Sequence, residues 1–300
     1  NLNPDNQLNY KLLSLNLNNS MEATNFPSYY MALNQRGGVQ SYYETGDRLI
    51  YSSKSDYEDW LVRLSKYVDN INNTTLNLKE GLYKGYTQPK LITKQVIIQI
   101  DNILNSDIDN HPYMKIFLSA DDIFFQNNEK NQLIEEAKDL VVNKINPAYQ
   151  ELNNFLKDEY LPKSRDSIGL SDIPNGKAWY EYVARYHTTT DLTPNEIHEI
   201  GLKEVKRIRS EMEQIIANLE WDGDFKSFLN YLRTSPRFYY DNGEDLLNAY
   251  LIMSKKIDPL LPKIFKVFPR APYGVIPIPE ESAPFTTTAY YNSPAKGRPG

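Results

Sequence analysis

The chain has 300 residues, 33 Lys and Arg against 39 Asp and Glu, three His and no Cys. Without thiols there is no disulfide framework, cysteine-ligated metal site or cysteine nucleophile. The net charge of −6 argues against a nucleic-acid partner, because phosphate neutralisation needs surplus Lys and Arg.

Residues 1–55 read as irregular with one or two short helices, since the apolar residues of 9–17 crowd too closely to define a face. Leu33-Asn34-Gln35-Arg36-Gly37-Gly38 ends in a glycine pair that permits a sharp turn, and Arg36 offers one cation for an anion. Ser55 and Glu58 stand at capping-box spacing ahead of Trp60, Leu61, Leu64, Tyr67, Val68 and Ile71, a helical pattern that fades near Gly81. Pro89 restarts it through Val96, Ile97, Ile100, Ile103 and Leu104, a β-branched run that also reads as a strand but whose spacing and length favour helix. Residues 129–160 read as one long helix, kinked at Pro147 and ended by Pro162.

The next helix spans residues 175–186, with Trp179, Tyr182, Val183 and Tyr186 on one face. Thr193-Pro194-Asn195-Glu196 is the clearest helix start, with an N-cap, a proline at N1 and a glutamate closing the box. Ile197, Ile200, Val205, Ile208, Met212, Ile215 and Leu219 form its apolar stripe. A shorter helix at 224–232 precedes a long one from 244 to about 268, bent or split by Pro259 and Pro262. Seven of the 18 prolines fall in residues 269–300, where 273–279 and 285–291 read as extended, edge-type segments. The predicted fold class is therefore mainly α: long amphipathic helices over residues 1–268, then a Pro-rich extended or β segment over 269–300. No apolar run is long enough to span a bilayer and no signal peptide is present. The start at Asn1 rather than Met predicts trimming, which permits a removed export signal or lipid anchor.

The densest polar cluster is Arg185-Tyr186-His187-Thr188-Thr189-Thr190-Asp191. It reads either as a loop that binds a substrate carboxylate or carbonyl, or as a helix-to-helix turn whose hydroxyls satisfy backbone donors. His198-Glu199-Ile200-Gly201-Leu202 lacks the second histidine of H-E-x-x-H, so His198 reads as a surface or interhelical residue. His111, before Pro112, reads as structural or exposed. Asp121–Asp122, Glu135–Glu136 and Glu280–Glu281 read as solvated or helix-terminal charges rather than acid/base pairs. The Tyr pairs read as packing.

Several segments resemble the bacterial family catalogued as domain of unknown function 885. They are Leu33 to Gly38, Glu159-Tyr160-Leu161-Pro162 with Arg165-Asp166, and Leu170 to Pro174-Asn175-Gly176-Lys177. The most specific is Arg185 to Pro194 with Glu196-Ile197-His198. Leu232-Arg233-Thr234 with Pro236 to Tyr239, Pro269 to Val275, Ala289-Tyr290-Tyr291 and Gly297-Arg298-Pro299-Gly300 complete the series. The resemblance implies one half of a helical zinc metallopeptidase-like fold. It implies a peptide substrate and attack on its carbonyl by zinc-activated water with a Glu general base. The family's zinc-binding helix follows the segment matching Gly300, so no metal ligand or catalytic residue transfers to this chain. Zinc is implied for the full-length family and none is expected on residues 1–300, which alone are expected to be inactive.

Four residues are candidates for the substrate wall. Tyr290 and Tyr291 end the extended segment 285–291; His187 and Arg185 belong to the polar cluster. The alternative function is a non-catalytic peptide-binding or envelope scaffold protein. Resemblance favours the cell envelope or periplasm, as a lipoprotein, with the cytoplasm as the other location. Oligomeric state is left open.

Overall fold

The computed structural model describes residues 2–270, 272–278 and 283–293. Among these the chain is mainly α, and β pairing is limited to the isolated bridges Asn34–Gly37 and Pro89–Arg165. The chain forms two compact units, Asn1–Asp191 and Leu192–Gly300.

The first unit opens with a helix that the sequence pattern does not predict, α1 (Pro4–Ala23). Its start is built by Asn3, whose side chain accepts from the Asn6 N–H at 2.8 Å, and by Pro4 at N1. Leu8, Leu12, Leu13, Leu15 and Leu17 spread around it, so no stripe marks it, and none of its residues is buried.

Helix α2 (Lys54–Lys84) is capped two residues earlier than Ser55–Glu58 suggests. Ser53 is the extended N-cap, and the Asp56 carboxylate reaches back to the Ser52 N–H at 2.8 Å and the Ser53 hydroxyl at 3.0 Å. These hydrogen bonds hold the Asp56 carboxyl below its usual range. Gly85, in the left-handed region at φ 84°, ends the helix. Helix α3 (Lys90–Leu104) starts after Pro89 as its spacing predicts.

The long helix is continuous but not uniform. α4 (Glu129–Leu140) runs into a π turn (Val141–Ile145), then α5 (Asn146–Phe155), a second π turn (Leu156–Tyr160) and a last turn (Leu161–Lys163). Pro147 and Pro162 each stand second after a π turn, where the N–H before them bonds five residues back, Asn146 to Val141 and Leu161 to Leu156. The widened turn absorbs the missing proline donor and the ring clash that would otherwise break the helix.

α2, α3 and α4–α5 enclose one core. Trp60, Leu64, Ile71 and Leu78 meet Val96, Ile100 and Ile103, and Ala137, Ile145, Leu152 and Leu156. A second cluster forms under α6 (Gly176–Thr188), where Trp179 and Tyr182 pack with Phe26 and Ile173.

The second unit holds α7 (Pro194–Asn218), α8 (Phe225–Thr234) and α9 (Gly243–Ile257). The predicted capping box is present: Thr193 accepts from the Glu196 N–H at 3.2 Å, and the Glu196 carboxylate accepts from the Thr193 N–H at 2.8 Å. α9 stops at Ile257, earlier than the apolar pattern, and Asp258–Lys263 continues as a 3-10 turn around Pro259 and Pro262. The expected C-terminal strand does not form among the described residues. Residues 272–278 and 286–293 are irregular, and Ala283–Phe285 is a 3-10 turn. Pro272 and Pro277 remove ladder donors from the first of these segments, and no partner strand lies in the described chain for either.

Candidate functional site

The four candidates divide between the units, two in each. Arg185 lies on the last turn of α6 and pairs with Glu22 of α1. Two other contacts hold α1 to α6. Phe26 stacks against Trp179 and Tyr182, with centroids 5.5 and 5.2 Å away, and the Tyr182 hydroxyl donates to the Asn19 carbonyl at 3.0 Å. Arg185 thus has a structural partner, and a half-exposed pair of this kind contributes about 0–1 kcal/mol.

His187 is exposed, with its ring edge-on to Tyr186 at 5.1 Å. Among the described residues its ring nitrogens make no hydrogen bond. The neighbouring threonines finish the helix. The Thr188 hydroxyl donates to the Ala184 carbonyl at 2.8 Å, and Thr189, left-handed at φ 54°, sends its N–H to the Arg185 carbonyl at 2.8 Å. So the Thr188 hydroxyl bonds backbone on both sides, to the Ala184 carbonyl and from the Thr190 N–H, while the imidazole is exposed. His198 is exposed on the first turn of α7.

The Leu33–Gly38 segment is a built turn. Asn34 and Gly37 exchange both backbone hydrogen bonds, at 3.1 and 3.2 Å. The Gln40 side chain donates to the Asn34 carbonyl at 2.7 Å, and Gln99 donates to the Gln35 carbonyl at 2.9 Å. Gly38 sits at φ 137°, where a Cβ would lie 2.6 Å from Gln40 Oε1. Just beyond, the Val39 carbonyl accepts from two buried tyrosines, Tyr67 at 2.5 Å and Tyr149 at 2.6 Å. Since Tyr149 spends its proton there, Tyr113 donates to Tyr149 at 2.7 Å. Burial raises all three phenols above their usual range, so they stay protonated donors. Arg36 is exposed at the turn's apex. In the sequence, Gly37-Gly38 is the only local signal of how firmly this cation is presented.

His111 is structural, and buried. Its Nδ1 accepts from the Tyr113 N–H at 3.3 Å, which places the proton on Nε2, facing Asn146 Oδ1 at 3.2 Å. Burial lowers its pKa below the ordinary value. Between the folded pKa and about 6.5 the unfolded chain binds more protons, so stability rises with pH across that window. Acidification from pH 7.5 to 5.5 is expected to lower the urea midpoint, and His111→Gln to flatten that slope. Equal slopes in the two proteins would refute it.

Tyr290 and Tyr291 are 49% and 70% exposed, and among the described residues neither hydroxyl has a partner. The acidic pairs serve local roles: Asp121 caps the Ile123 N–H, Asp122 pairs with Lys130, and Glu135 pairs with Lys138. Glu280–Glu281 lie outside the described residues. Among the described residues no three His, Asp or Glu side chains group so as to hold a metal ion. No helix among them is long and apolar enough to cross a membrane.

A profile of the family described as "Bacterial protein of unknown function (DUF885)" matches residues 1–300. The chain belongs to the DUF885 family. No curated protein matches this DUF885 chain. A crystal structure described as "the putative lipoprotein from Colwellia psychrerythraea" is similar to it at TM-score 0.80 and 21% identity, over 90% of this chain and 48% of that one. The DUF885 chain thus has the fold of about half of that neighbour.

Proposed function

We propose that the chain is the N-terminal part of a zinc-dependent, peptidase-like hydrolase, supplying one wall of the cleft that holds a peptide. The observation that carries this reading is the segment around Tyr290 and Tyr291. Two exposed phenols with free hydroxyls stand on backbone that pairs with no strand among the described residues. Such backbone can hold a peptide through main-chain hydrogen bonds, and a phenol Oη–H can donate to the oxygen of a carbonyl under attack. The alternative candidates, taken on the first unit by itself, are His187, exposed at the end of α6, and Arg185 on the same turn. Zinc ligands have to come from outside the described residues, and no step is assigned to them here. An envelope location, as a lipoprotein, accords with the described neighbour.

A second reading is a non-catalytic peptide-binding or scaffold protein of the envelope. The complete reading frame separates the two. A frame that continues past Gly300 into H-E and paired His supports the hydrolase; a stop codon there supports the binding protein.

A further inference from the structure

The second unit has almost no interior. Among its described residues only Ile216 is buried. The stripe of α7, comprising Ile200, Val205, Ile208, Met212, Ile215 and Leu219, is exposed along its length. α9 is apolar on more than one side: Leu246, Tyr250, Met253 and Ile257 follow one face, Ile252 lies on the far side, and all are exposed. Helices apolar over so much of their circumference belong in interiors.

We infer that the exposed apolar surface of α7 and α9 is an intramolecular interface, covered in the complete protein by polypeptide of the same chain outside residues 1–300. The length of the fold favours this occupant, since the chain matches 48% of its structural neighbour and leaves the rest of such a fold to be supplied. A second copy fits less well. A two-fold contact uses one self-complementary patch, whereas here two helices need cover and α9 needs it on opposite sides. The inference shares with the proposed function only the premise of a longer polypeptide; protection of this surface in a protein without peptidase activity would fail that function alone.

Methionine oxidation tests it in the product of the complete reading frame. Met212 and Met253 are 38% and 55% exposed here, and Met114 is fully buried as an internal reference. At low peroxide, Met212 and Met253 are expected to oxidise at least about tenfold more slowly than methionine in an unstructured peptide, near the Met114 rate. That protection should persist on dilution to the monomer. Oxidation at the peptide rate overturns the inference. So does protection lost on dilution, which assigns the surface to a second copy, and so does a reading frame that adds nothing to these 300 residues.

Discussion

Gly81→Ala is expected to destabilise the first unit by about 2 kcal/mol, although helix propensity alone would make it a gain of about 1 kcal/mol. Gly81 lies in the last turn of α2, buried under the Ser28–Met31 turn. A Cβ there would stand 2.6 Å from the Tyr30 carbonyl oxygen and 2.8 Å from Tyr30 Cβ. The carbonyl is backbone and cannot swing aside as a side-chain tip would. The turn is also pinned in place by two side chains. The Tyr30 hydroxyl accepts from Lys84 Nζ at 2.7 Å, and the Met31 carbonyl accepts from Gln88 Nε2 at 2.9 Å. Relief therefore requires parting the turn from the helix, which uncovers Tyr30. Urea unfolding reads the result as a lower midpoint with an unchanged slope. A raised midpoint would show that this close approach is absent in solution.

In the complete protein, Tyr290→Phe or Tyr291→Phe is expected to lower kcat/KM for peptide cleavage by about 100-fold, the size of effect seen when one oxyanion donor is lost. The substitution removes only Oη and keeps the ring. Both side chains are half-exposed or more, so the fold should be indifferent to the change. A fall in kcat places the hydroxyl on the developing charge; a rise in KM alone places it on the bound peptide. If both variants cleave like the parent, neither tyrosine serves the reaction.

How much of this was legible in the sequence depended on which physical signal each element carries. Thr193-Pro194-Glu196 was readable because a capping box is local chemistry, and it formed as spelled. α2 and the long helix are readable because one face of each is buried, which forces apolar residues into a stripe. α1 has no buried face, so periodicity missed it; its Asn3-Pro4 cap was the signal to use. The two π turns were not legible as such, although Pro147 and Pro162 marked their places. On the site side, the cluster after Arg185 was visible as composition, but only the fold separates its capping threonines from its exposed histidine. The Val39 carbonyl, held by Tyr67 and Tyr149, joins residues 28 and 110 positions apart, a pairing that no local pattern encodes.

Cleavage of a peptide library by the product of the complete reading frame, with its metal content determined alongside, tests whether these residues are one part of a metal-dependent peptide hydrolase. About one zinc per chain is expected, with cleavage that a chelator abolishes and zinc restores, and neither in residues 1–300 alone. Cleavage indifferent to chelators, or stoichiometric zinc held by residues 1–300, would contradict it.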